Sequence, residues 1–151
     1  MNAETMWQCY CESTGVTAEY DAWCFGDDAD TLAQLVLAGT KTATSSAHVF
    51  YELEEEPLPE PGQYSVVLDS RDEAVCVIRT DSVRILPYCQ VDERFAFLEG
   101  EGDRTLSYWR RVHKAFFTQE MEGINRAFSE DMLLVLEEFT CVYPVADKDN
   151  S

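Results

Sequence analysis

Between positions 41 and 46 the chain places one lysine and four hydroxyls, Lys41, Thr42, Thr44, Ser45 and Ser46, directly after the apolar segment 32–38 and Gly39. A lysine beside a threonine can serve as base and nucleophile once partial desolvation lowers the lysine pKa. Farther along, Glu99 and Glu101 flank Gly100, and Gly102 follows. A threonine attacking an amide carbonyl needs a base, and a carboxyl group must then pass a proton to the leaving nitrogen. Glycines on either side of Glu101 leave room for backbone to approach a ligand. Glu93 and Glu101 compete with Glu99 for the proton-transfer role. His113 lies four residues after Trp109 and four before Phe117. It is therefore either a satisfied core histidine or a pocket group near the Glu99 turn. Trp109 is core or a stacking platform, and Thr42 and Ser45 are ligand contacts or local loop caps.

The elements that would hold these groups follow from pattern. Leu32, Leu35 and Val36 give a helix at 31–38 one apolar face, with Asp28 or Asp30 as its cap. Gly39 suits the left-handed C′ position. The lysine and hydroxyls thus begin just past a rigid helix end. In a strand Lys41 and Thr44 would point to opposite faces, because side chains alternate; they converge only if the chain bends. Thr5 to Gln8 has capping-box spacing for a short helix ending before Gly15. Residues 22–26 form an apolar bridge into an acidic turn at 27–30. A helical turn at 48–53 precedes a proline-broken acidic loop at 54–62. Residues 64–69 and 74–80 read as a hairpin. Another strand at 83–86 stops at Pro87. Asp92 caps a short helix ended by Gly100. Leu106, Trp109, Val112, Phe116 and Phe117 mark a long amphipathic helix at 104–121, and 132–137 and 139–143 read as closing strands. Helices interleaved with a hairpin predict an α+β fold with a mostly antiparallel sheet.

Composition narrows the function classes. The 151 residues suit one domain. No apolar run approaches the roughly 20 residues that span a membrane. The first twelve residues carry acids and no lysine or arginine, unlike a secretory signal, so a cytoplasmic location is expected. Six cysteines form no CxxC pair, and no spacing supports zinc with His48 or His113; free thiols, no metal and no cofactor are expected. Eleven basic residues face 29 acidic ones, for a net charge of −18. Non-specific binding of a long nucleic acid depends on neutralising phosphates with Lys and Arg, so this balance favours a small ligand or a short RNA segment over a polymer track.

Gly39-x-Lys41-x-x-Thr44-x-Ser46 resembles the G-x-K-x-x-T-x-(R or S) signature of the ASCH family, a branch of the PUA-like superfamily. Ala96 to Gly100 resembles the family's A-x-x-E-G feature, and the apolar run from Met132 to Phe139 with Cys141-Val142-Tyr143 resembles its closing strands. Phe25-Gly26-Asp27 and the glycine-rich run from Glu99 to Asp103 resemble a longer bacterial subgroup. The resemblance implies a small, mostly antiparallel PUA-like β-barrel with flanking helices. It divides the chain into an N-terminal helical extension at 1–30, the ASCH domain at 31–144 and a flexible tail at 145–151. It also implies Thr44 as nucleophile, Lys41 as its activator and Glu99 as acid and base, with the first two within hydrogen-bond reach, roughly 2.6–3.2 Å. Thr42, Ser45, Ser46, Glu101, Trp109 and His113 are the expected ligand contacts. Ser46 stands where many relatives carry arginine. Serine cannot hold phosphate or carboxylate in a bidentate fork, so an uncharged group is expected there. The implied function is hydrolysis of an amide or related bond on a small nucleoside-like ligand. The alternatives are an RNA-binding protein or ribonuclease with a PUA-like pocket, and a non-catalytic ligand-sensing or interaction module.

Overall fold

The computed structural model describes residues 1–144; the expected tail at 145–151 lies outside the described residues. The first helix, α1 (Ala3–Thr14), is capped by Asn2, whose side chain accepts from the Thr5 backbone N–H at 2.8 Å. The helix therefore begins before the capping box expected at Thr5. Gly15, at φ +78°, ends it. Met6, Trp7 and Tyr10 bury one stripe of α1 against Val66 and Val77.

The expected bridge at 22–26 is mostly strand. β1 (Tyr20–Cys24) pairs in parallel with β3 (Tyr64–Leu68), Tyr20 opposite Tyr64. α2 (Ala29–Leu37) follows. Asp28 precedes it in a left-handed conformation and makes no side-chain cap. Asp30 does not cap it either: its carboxylate accepts from the Ser70 N–H at 2.8 Å and hydroxyl at 2.9 Å, tying the start of α2 to the turn after β3. Gly39, at φ +82°, breaks the helix as its position predicts.

β2 (Ala43–Ala47), α3 (His48–Leu53), β4 (Ala74–Pro87), α4 (Glu93–Glu99), α5 (Leu106–Glu122) and β5 (Leu133–Tyr143) complete the chain. The sheet runs β1-β3-β4-β5-β2, antiparallel except for the β1–β3 pair, and curls into a half-barrel. Four strands were expected where β4 and β5 run as two. β4 absorbs its apparent break at Thr80–Ser82 as a register irregularity, which bends a strand without ending it. Glu138, the polar interruption in β5, stays in the ladder and pairs with Arg94 at 2.9 Å.

Apolar residues of α4 and α5, including Phe95, Trp109 and Phe117, pack on Ala43, Ala47, Leu134 and Leu136 of the edge strand and its neighbour. α2 packs Ala33 and Val36 on Val67, Ile78 and Phe139. The loop between α2 and β2 is thus gripped from both sides. No helix among the described residues is long and apolar enough to cross a membrane.

Candidate active site

Gly39 turns the chain so that the N–H groups of Thr40 and Lys41 both reach the Leu35 carbonyl at 3.0 Å. Thr42 then donates its N–H to the Leu98 carbonyl at 2.7 Å and accepts from the Phe139 N–H at 2.9 Å. This backbone stitching draws the loop against the end of α4. There Gly100, at φ +74°, lies so close that a Cβ would collide with the Thr40 carbonyl and the Lys41 backbone. Gly100→Ala is therefore expected to cost about 1–3 kcal/mol from left-handed strain alone, and more from the collision. Urea unfolding measures it; a change below about 0.5 kcal/mol, the range of ordinary surface substitutions, would show that the loop is not clamped there.

Lys41 and Glu99 are each 1% exposed, and their charged groups lie 3.1 Å apart. The Lys41 ammonium also reaches the Glu101 carboxylate at 3.2 Å and the carbonyls of Ala43 and Glu99 at 2.8 and 3.3 Å. The second Glu99 oxygen accepts from the Ser45 hydroxyl at 2.8 Å and from the Trp109 indole N–H, and faces His113 Nε2 at 3.3 Å. Burial pushes the Glu99 pKa up. The Lys41 ammonium, the adjacent His113 and the Trp109 donor outweigh burial and hold it well below the usual carboxylate range. Burial pushes His113 down, but the Glu99 charge and hydrogen bond raise it above its ordinary value. His113 Nδ1 lies 2.9 Å from the Trp109 carbonyl, which only accepts, so Nδ1 carries a hydrogen. With Nε2 facing a carboxylate, the doubly protonated imidazolium is the favoured form.

Two cavities meet here. The first, about 210 Å³, is lined by Lys41, Thr44, Ser45, Glu99, Glu101 and His113, and covered by the loop from Phe25 to Asp28 and by Tyr108 and Phe116. The second, about 460 Å³, continues past Thr44 and Ser45 over Ser46, Tyr51 and Glu137.

The expected contact between Lys41 and Thr44 is not made. Among the described residues Lys41 makes no hydrogen bond to Thr44, and the Thr44 hydroxyl has no partner. The cause is alternation along β2. Ser45 shares a face with the buried Ala43 and Ala47 and turns toward Glu99, whereas Thr44 turns the other way, in register with Glu137. The Lys41 side chain is instead held between the Glu99 and Glu101 carboxylates, at 3.1 and 3.2 Å. Thr42 lines neither cavity. Trp109 is buried behind Glu99 as its hydrogen-bond donor. Ser46 lies in the second cavity, bonded to the Tyr51 hydroxyl at 3.1 Å. Ser45, Glu101 and His113 stand on the first cavity wall. Glu137 and the Phe25–Gly26 loop went unread as site residues; an acidic residue at an inward position of an apolar strand was the available signal for the first. Glu99, Glu101 and His113 place ligand atoms within 4.8 Å of one another, as metal ligands do. The Lys41 ammonium, within 3.2 Å of both carboxylates, already supplies the positive charge a metal would bring.

These features define a small α+β protein in which a curled sheet and two helices bury a lysine–glutamate pair beneath a pocket. Residues 21–143 match the model of the ASCH domain, and the chain belongs to the ASCH family. It is similar to the ASCH domain from Lactobacillus crispatus, with 35% identity, a TM-score of 0.86 and 93% of each chain covered. It is also similar to protein EF3133 from Enterococcus faecalis, with 40% identity and a TM-score of 0.86 over 93% of this chain and 88% of that one. The hypothetical protein PH0355, 12% identical with a TM-score of 0.56 over 82% of this chain and 100% of its own, shares the fold alone. No curated protein matches the chain.

Proposed function

We propose that this protein hydrolyses an amide or related bond on a small nucleoside-like ligand seated in the first cavity. The observation that carries the reading is the buried Lys41–Glu99 pair, whose free carboxylate oxygen holds the hydroxyl of Ser45 and faces His113 on the cavity wall. Such a cluster combines a fixed positive charge for a developing oxyanion with a proton acceptor and a proton donor. Water is the attacking group. Its proton passes through the Ser45 hydroxyl to the Glu99–His113 pair in step with the loss of the His113 proton to the leaving nitrogen, so that Glu99, a weak base by itself, never holds the proton alone. The His113 imidazolium protonates the leaving nitrogen. Lys41, ion-paired to Glu99 and Glu101 on the cavity wall, keeps the Glu99 carboxylate ionised and adds a positive field near the carbonyl. Thr44, at the junction of the two cavities, is a contact to substrate.

A panel of N-acylated nucleosides incubated with the protein and followed by chromatography tests the reading. Release of the free nucleoside is expected, and no turnover on any member of the panel would remove the hydrolase assignment. The acid role of His113 has its own signature. Turnover requires the imidazolium, so kcat/KM should fall as pH rises through the His113 pKa, above its ordinary value of about 6.5. His113→Gln should lose this alkaline limb as well as rate. A limb that persists in the variant would give the acid role to another group.

A further inference from the structure

One face of the curled sheet changes character along its length. Under α2 it is apolar, with Val67 of β3, Cys76 and Ile78 of β4 and Phe139 of β5. Side chains alternate along a strand, so the next positions on that face are Ser65 on β3 and Thr80 on β4. Both line the second cavity. Ser65 is 9% and Thr80 6% exposed, and neither hydroxyl makes a hydrogen bond to the protein among the described residues. Every fully enclosed side-chain polar atom among the described residues has a partner. These two hydroxyls therefore open onto the cavity, and a group lying in it is the partner they can reach. We propose that the second cavity is the sugar subsite of the same pocket, taking the free hydroxyls of an unphosphorylated ribose. The inference rests on the hydrolytic reading above for calling the ligand a nucleoside, and on the cavity for where and how its sugar binds.

Burying a hydroxyl without a partner costs free energy, and valine would suit either strand position without that cost. A ligand group that both donates and accepts removes the penalty, and a sugar hydroxyl does both. The unbonded Thr44 hydroxyl lines the same cavity, and the Glu137 carboxylate, in register beside it, offers an acceptor. Trp23, Tyr51 and Phe116 add aromatic wall, the usual means by which a small-molecule site buries the apolar faces of its ligand. With the acylated nitrogen beside His113, the base lies in the first cavity. Thr44 and Ser45 line both cavities and mark the passage from base to sugar. No lysine, arginine or histidine is among the residues lining the second cavity, whereas Asp21, Glu56, Glu120 and Glu137 are. A phosphate on the sugar would meet like charge and no cationic donor. The subsite therefore selects a nucleoside over a nucleotide, and the same charge pattern opposes an RNA backbone threading the cavity.

Calorimetric titration of the full-length protein with adenosine and cytidine, each beside its dideoxy analogue and its phosphate monoester, isolates the sugar, because each set keeps one base. The ribonucleoside should bind about tenfold or more tightly than the dideoxy form, which lacks the ribose diol, and the monoester should bind least. Thr80→Val and Ser65→Ala should each weaken the ribonucleoside by about threefold to tenfold, the worth of one neutral hydrogen bond. Neither should change binding of the dideoxy form, so the loss couples to the diol. Thr80→Val should also melt no lower than the parent, since no protein group loses a partner. Equal binding of ribo- and dideoxynucleosides, tighter binding of the monoester, or variants that weaken both forms alike would overturn the proposal. So would the absence of nucleoside binding, which leaves water as the partner of these hydroxyls. Failure here is separable from failure of the hydrolase reading. Turnover of acylated nucleosides that ignores the diol removes the subsite alone. Diol-dependent binding without turnover of any amide removes the hydrolase alone.

Discussion

Lys41→Met is expected to lower the unfolding free energy by about 3–5 kcal/mol, the cost of stranding one partner of a buried ion pair. Methionine nearly matches lysine in length, so the cavity left behind is small and the lost charge dominates. Glu99 would keep its Ser45 and Trp109 donors but lose the ammonium, while Glu101 remains nearby as a like charge. Domains of this size hold a total stability of only about 5–15 kcal/mol, so the single variant should melt far below the parent. Adding Glu99→Gln removes the stranded charge, and the double variant should regain much of the loss; the double-mutant cycle measures the coupling. The pH dependence has a fixed direction. In the parent the folded pKa of Glu99 lies below its unfolded value of about 4.3. The pair therefore contributes fully above that pH, and its contribution fades as pH falls through the folded value. Without Lys41 the folded pKa of Glu99 rises, so the deficit of the variant should shrink in acid. A Lys41→Met protein as stable as the parent at pH 7, in urea unfolding, would show that the two groups do not meet as a buried charged pair.

What the amino-acid sequence disclosed about this molecule tracks the range of each interaction. Asp92 and Gly100 bracket α4 as expected, and Gly39 stops α2, because caps and left-handed glycines act within a few residues. The hairpin of β3 and β4 was legible for the same reason. The parallel pairing of β1 with β3 was not, since it joins Tyr20 to Tyr64 and leaves no local mark. Asp30 shows the conflict in miniature: local rules make it a helix cap, while a partner 40 residues away takes its carboxylate. The site divides likewise. Lys41 and Glu99 are 58 residues apart, and only the family resemblance joined them. Which of Thr44 and Ser45 would face Glu99 depended on where β2 begins and how it registers with β5. A one-residue change in that phase exchanges the two side chains between faces. His113 falls on an apolar helix stripe and on a cavity wall at once, because α5 forms both the core and one side of the pocket.

The same phase of β2 decides which substitutions should silence turnover. Glu99→Gln is expected to reduce kcat by about 10²–10⁴-fold, the usual worth of a positioned acid–base group. Its amide retains shape but can no longer gather Ser45, Trp109 and His113 as a single anion does. Ser45→Ala should cost a comparable factor, because Ser45 is the hydroxyl that touches Glu99, at 2.8 Å. If the two act as one relay, the double variant Ser45→Ala with Glu99→Gln should be scarcely slower than Glu99→Gln alone. Thr44→Val should differ in kind. With its hydroxyl unbonded among the described residues and lining both cavities, its loss should raise KM while leaving kcat within about tenfold, as expected for a group that binds ground and transition states alike. The comparison needs a hit from the acyl-nucleoside panel and melting curves that show each variant folded. Should Thr44→Val abolish turnover while Ser45→Ala is nearly silent, the attacking group is the Thr44 hydroxyl after all. Substrate binding must then rotate β2 or swing Lys41 to bring the two together. The discriminating result would be a covalent acyl-enzyme trapped on Thr44, detectable by mass spectrometry as an added acyl group in the parent and absent in Thr44→Val.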